Sequence, residues 1–134
     1  MKIDSNLVAI VVGGASGMGA GTVEALRVPG AKVAILDLNA EAGAAVAAGT
    51  GATFFPVNVL QEASVVEAFA AARKHQGQER VMVFTPGGGS LSRTVWREDG
   101  AIKRHDFAHF EHIVKLNLNS TFLCASVAAE GMLG

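Results

Sequence analysis

The stretch Leu7–Gly19, LVAIVVGGASGMG, sets an unbroken apolar run against four glycines in seven residues. Leu7–Val12 is short and apolar throughout, which reads as a strand buried on both faces in a parallel sheet. Behind the glycines a helical pattern places Val23 and Leu26 on one side. Val28-Pro29-Gly30 stops it, since proline cannot continue a helix and glycine tolerates left-handed dihedrals. Lys32–Leu36 reads as a second strand, finishing at Asp37. The whole is a β-α-β unit with a glycine-rich first turn.

That arrangement has a chemistry. Glycines let the backbone approach a pyrophosphate with no Cβ in the way. The start of the helix offers unpaired N–H groups and the positive end of its dipole. A carboxylate ending the second strand, roughly 20 residues beyond the glycines, can accept the hydroxyls of an adenosine ribose. Asp37 stands there and would repel a 2′-phosphate. The only cations between Gly13 and Asn39 are Arg27 and Lys32, both outside the expected pocket, so the sequence favours NAD over NADP. Four glycines could form a tight turn and nothing more. Strand, glycines, helix, strand and acid in register argue against that.

The rest of the chain continues the alternation. Asn39–Ala48 reads as an alanine-rich helix and Ala52–Pro56 as a strand. Gln61–Arg73 reads as a helix with Val65, Val66 and Phe69 inward, and Arg80–Thr85 as a fourth strand. Pro86–His105 has no clear period and reads as a long loop, a feature that in a compact domain is functional or mobile. Asp106 is placed to cap a last helix running toward Met132. Phe107, Phe110 and Val114 are spaced to face the core. This order predicts one α/β domain over residues 1–134, with a parallel sheet and right-handed crossovers.

The spacing Gly13-x-x-x-Gly17-x-Gly19 resembles the TGxxxGxG of the short-chain dehydrogenases/reductases. AKVAILDLN and VKLNLNSTF align with that family in order. The long insert after the fourth strand, with REDG inside it, looks most like the branch of short-chain 3-hydroxyacyl-CoA and type 10 17β-hydroxysteroid dehydrogenases. The resemblance implies a Rossmann-type, three-layer αβα fold truncated to about four βα units, with strand order 3-2-1-4. It implies a phosphate loop of Gly13, Ser16, Gly17, Met18 and Gly19. Asp37 and Leu38 would hold the ribose, Asn58-Val59 the adenine, and Thr85 and Gly87 the next part of the cofactor. Asn117 falls on the asparagine that supports a proton relay.

Three positions depart from the pattern. Val12 replaces a threonine that ties the turn, Asn58 an aspartate and Phe84 an asparagine that cross-links the sheet. The resemblance covers the family's amino-terminal half, and its catalytic Ser, Tyr and Lys fall downstream of Gly134. The chain has no tyrosine at all. The resemblance implies an NAD-dependent oxidoreductase of a secondary alcohol or ketone, with a 3-hydroxyacyl-CoA among the candidate substrates, represented by its cofactor-binding half. The alternative is a non-catalytic dinucleotide-binding or assembly module. Strand 4 would lie at an edge, which predicts a homo-oligomer or a completing chain.

Other candidates are weaker. The net charge of −1 gives no case for nucleic acid or an anionic membrane. Glu98, Asp99 and Asp106 interrupt the basic stretch at Arg93, Arg97, Lys103 and Arg104, which reads as a solvated loop. His105, His109 and His112 share a helical spacing that could hold zinc, but no cysteine or acid completes a set, so no metal is expected. Cys124 is the only cysteine, which excludes an internal disulfide and suits a reduced cytoplasmic setting. It reads as packing rather than as a nucleophile. The first apolar run is too short for a signal peptide or membrane span.

Overall fold

The computed structural model describes all residues, Met1–Gly134. Four parallel strands form its centre: β1 (Val8–Val12), β2 (Lys32–Asp37), β3 (Thr53–Pro56) and β4 (Val81–Phe84). They stand in the order β3-β2-β1-β4, as the resemblance implied. Ile10 pairs in register with Ala34 of β2 and Met82 of β4.

Side chains alternate across a strand, so β1 and β2 supply both faces of the sheet. Ala9, Val11, Val33 and Ile35 point one way and pack with Val23 and Leu26 of α1 (Gly17–Arg27). On that side α2 (Ala40–Thr50) follows, capped by the Asn39 side chain, which accepts from the Ala42 N–H. Ile10, Val12, Ala34 and Leu36 point the other way. They meet Val65 and Phe69 of α3 (Glu62–Gln76), with Cys124 and Ala128 of the last helix. Helices on both faces make three layers. β1 is buried along its whole length, which is why its sequence shows no polar alternation.

A second tie joins α3 to the last helix. Glu79 is fully buried and receives two hydrogen bonds from the Arg73 guanidinium, at 3.0 and 2.7 Å. Arg73 also donates to the Val127 carbonyl at 2.9 Å and lies over the Phe69 ring. The bonds to Glu79 raise the Arg73 pKa further above its ordinary value.

Four expectations need correction. Val66 is about half exposed, because the face of α3 that packs on the sheet carries Val65, Ala68, Phe69 and Ala72. Pro86–His105 is not all loop. It holds an antiparallel hairpin, β5 (Val95–Glu98) and β6 (Ala101–Arg104). Asp99 and Gly100 turn it, both at positive φ (52° and 81°), as a two-residue type I′ turn requires. The hairpin pairs with itself and leaves the outer edge of β4 unpaired.

The last helix is also not continuous. Asp106 caps α4 (Phe107–Val114) as expected, accepting from Ala108 N–H at 3.2 Å. A π-helical turn, Lys115–Asn119, then separates α4 from α5 (Ser120–Leu133). Phe107 and Phe110 do not face the core. They are 69% and 54% exposed and stack on each other at 6.2 Å. The hairpin starts α4 away from the sheet, so no residue of α4 is buried.

Candidate functional site

The carboxyl ends of the four strands open onto a cavity of about 530 Å³. Each strand contributes the residues that follow it. Gly13 and Ser16 to Gly19 follow β1, Asp37 ends β2 and Leu38 follows it, Asn58 to Leu60 follow β3, and Thr85 to Gly87 follow β4. Every residue expected to hold the cofactor lines this cavity.

The glycine turn is shaped by close contact. Gly13 has φ +79°, and a Cβ there would lie 2.5 Å from Thr85 Oγ1. A Cβ on Gly19 would lie 1.9 Å from the Gly13 carbonyl oxygen, so α1 reaches the turn only because position 19 has no side chain. The first N–H groups of α1 lack acceptors within the helix. Ser16, the residue before it, makes no capping bond, and the first turn holds no acid. Donors without a resident anion fit a phosphate group.

Thr85 answers the loss of a hydroxyl at position 12. Its Oγ1 bonds to the Val12 carbonyl at 3.0 Å and the Gly13 carbonyl at 3.1 Å. The turn is therefore tied from β4 rather than from β1. Phe84, where the family has a polar cross-link, instead packs against the core face of the sheet.

Asp37 is partly buried, and both of its oxygens are engaged. Oδ2 accepts from Ala15 N–H and Oδ1 from Asn39 N–H, each at 3.0 Å. A carboxylate has further lone pairs on each oxygen, so it can still accept ribose hydroxyls. Arg27 is turned away from the cavity, toward the carbonyls of Thr50 and Ala31. Lys32 begins β2, at the end of the strand opposite Asp37.

Asn117, the expected catalytic residue, stands outside the cavity wall. It lies in the π-helical turn, where its Nδ2 donates to the carbonyls of Gly88 and Ile113, both at 2.8 Å. Its Oδ1 accepts from Gly88 N–H at 3.2 Å. The side chain thus clamps the segment after β4 onto the helix. The Asn117 carbonyl accepts from the Thr121 hydroxyl at 2.6 Å.

Sequence reasoning missed His112 and Leu116, which line the cavity from α4 and the π-helical turn. Their i, i+4 spacing one helical step before Asn117 was the available signal. His105 and His109 pair with each other at 5.5 Å, and no three His, Cys, Asp or Glu side chains converge as metal ligands. Cys124 is buried, and burial pushes its pKa up to about 11. No helix is long and apolar enough to cross a membrane.

This sequence and this fold have relatives among known proteins. The sequence model of the short chain dehydrogenase family matches residues 7–134. A human (Homo sapiens) 3-hydroxyacyl-CoA dehydrogenase type-2 is 36% identical over 128 residues, covering 94% of this chain and 48% of the relative. A 2,5-dichloro-2,5-cyclohexadiene-1,4-diol dehydrogenase of Sphingobium indicum is 32% identical, covering 92% of this chain and 48% of that one. Among solved structures, a short-chain dehydrogenase/reductase variant of Serratia marcescens superposes with a TM-score of 0.84 at 25% identity, covering 98% of this chain and 53% of the other. The chain belongs to the short-chain dehydrogenase family. It spans about half the length of the curated relatives it matches.

Proposed function

We propose that residues 1–134 form a single dinucleotide-binding domain, and that it holds NAD for a short-chain oxidoreductase acting on a secondary alcohol or ketone. One observation carries this reading: the glycine turn, Asp37 and Asn58 line one cavity in the order that phosphates, ribose and base of a dinucleotide require. Phosphates would lie on the start of α1, the ribose against Asp37, and the base beyond it. The free nicotinamide end would then reach toward Thr85 and Gly87. Bound NAD supplies the hydride acceptor, and the residues here bind and orient it.

Asp37 supports NAD over NADP, since an added 2′-phosphate would meet its carboxylate with no cation to offset it. The name of the human relative supports a 3-hydroxyacyl-CoA as the substrate class. Asn117 would act by positioning the segment after β4 rather than by touching the reacting atoms. The lone, uncrosslinked Cys124 supports a reducing, cytoplasmic setting. The unpaired β4 edge supports a homo-oligomer or a completing chain.

Isothermal titration with both cofactors tests the reading. NAD should bind at least tenfold more tightly than NADP, and equal affinities would refute the assignment of Asp37. The lack of any tyrosine favours a second reading for these residues taken alone, a binding or assembly module without turnover. Short-chain enzymes use a tyrosine to move the hydroxyl proton. An NADH absorbance assay of the 134-residue chain with 3-hydroxyacyl-CoA and simple secondary alcohols separates the two. Binding without turnover supports the module; sustained turnover reveals another acid/base.

A further inference from the structure

Acids interrupt the basic stretch between Arg93 and Arg104 in sequence, and the β5–β6 hairpin sorts them in space. Residues directly opposite each other in an antiparallel pair share a face, and neighbours along a strand alternate. Val95 stands opposite Arg104, and Arg97 opposite Ile102, so these four share one face. Trp96, Glu98, Ala101 and Lys103 share the other. Glu98, the one acid of the two strands, forms an ion pair there with Lys103. Asp99 lies in the turn and Asp106 caps α4.

The first face is therefore two arginines interleaved with two aliphatic side chains. All four are exposed, Val95 at 57% and Ile102 at 71%. Neither arginine has an acid partner. Arg97 donates through Nη1 to the Gly100 carbonyl at 3.2 Å, which leaves its remaining donors outward. Neither strand pairs with the central sheet, so the hairpin presents this face on an arm of its own.

The chemistry of the face selects its partner. A second copy would bring four arginines together, and like charges repel. A bare phosphate backbone would meet the arginines and leave Val95 and Ile102 in water. An anionic lipid surface satisfies both. Headgroup phosphates take the guanidinium groups, and the aliphatic side chains enter the apolar boundary beneath them. We propose that the face formed by Val95, Arg97, Ile102 and Arg104 docks this chain peripherally on an anionic bilayer. The net charge of −1 does not oppose this, because at physiological salt a charge is felt over only about 8 Å.

Co-sedimentation with vesicles tests it, using phosphatidylcholine alone and an equimolar mixture with phosphatidylserine. The wild-type chain should pellet with the mixed vesicles and not with the neutral ones. Arg97→Gln with Arg104→Gln should weaken binding by about tenfold or more, at about fivefold for each arginine near the surface. Val95→Ser with Ile102→Ser should weaken it by about threefold or more. Lys103→Gln, on the opposite face, should change it by less than about twofold. Hydrogen exchange of the β5–β6 amides checks that each variant keeps the hairpin. No binding to the mixed vesicles overturns the proposal, as does equal binding to the neutral ones. A loss with Lys103→Gln as large as with the arginine pair removes the assignment to this face. Indifference to the serine pair shows attraction to any polyanion and overturns the lipid partner.

Discussion

The carboxylate of Asp37 accepts a hydrogen bond from the Ala15 N–H at 3.0 Å, fastening the end of β2 to the glycine turn after β1. One side chain therefore shapes the glycine turn and, in the proposed reading, would face the ribose. Loss of a charged acceptor costs about 1.5–3 kcal/mol. Asp37→Ala should weaken NAD binding by about tenfold or more and bring NAD and NADP within about threefold of each other. Titration of both cofactors checks this. A variant that keeps its preference for NAD would show that another group discriminates.

Arg73 of α3 pairs with the fully buried Glu79, which lies between α3 and β4. Removing one partner of such a pair typically costs about 3–5 kcal/mol, because the other charge stays buried. Arg73→Met should destabilise the fold by that amount in urea unfolding. Adding Glu79→Leu should recover a large part of the loss. No recovery would mean that Arg73 acts through its bond to the Val127 carbonyl instead.

Cys124 should resist alkylation in the folded protein and react at once when denatured. Its folded pKa of about 11 lies above the ordinary value of 9.0 because burial disfavours the thiolate. Between those values the unfolded chain releases the thiol proton and the folded chain keeps it. Stability is therefore unaffected below the ordinary value and falls as pH rises through the window, by about 1.4 kcal/mol per unit. Urea unfolding of wild type and Cys124→Ala from pH 8 to pH 11 isolates that slope. Equal slopes would remove Cys124 as its source.

The outer edge of β4 is open, since neither β5 nor β6 pairs with it. Val81–Phe84 present unpaired backbone groups beside apolar side chains, and Leu118, Phe122 and Leu133 are exposed on the helix nearby. Burying a few hundred Å² of such surface is worth several kcal/mol at about 25 cal/mol per Å². Sedimentation equilibrium at micromolar concentration should find a dimer or larger species. A clean monomer would rule out association through this edge.

The sequence made the sheet legible because its signals are local. Leu7–Val12 shows a buried strand by composition alone, and Gly13, Gly17 and Gly19 mark a turn that only glycines could make. The cavity was legible because strand ends in a parallel sheet bring Asp37, Asn58 and Thr85 together whatever their separation in sequence. The β5–β6 hairpin was hidden by its composition. Asp99-Gly100 carried the turn signature, but Arg97, Glu98, Lys103 and Arg104 left the flanking strands without an apolar face. The exposure of Phe107 and Phe110 depends on where α4 departs from the sheet. The place of His112 depends on the helix's winding. Neither is written in periodicity.

The π-helical turn at Lys115–Asn119 makes the helix's rotation a matter of chain length. Such a turn accommodates one extra residue within an α-helix. Each helical residue advances about 100° around the axis. Deleting one residue of this turn would let the hydrogen bonding close as ordinary α-helix. With α5 held by Cys124 and Ala128, α4 would turn by about 100° and His112 would swing off the cavity. A single deletion far from the glycine loop would reset one wall of the site without changing the chemistry of any remaining side chain. Comparing cofactor affinity in that deletion variant with His112→Ala would separate loss of one ring from rotation of the whole helix.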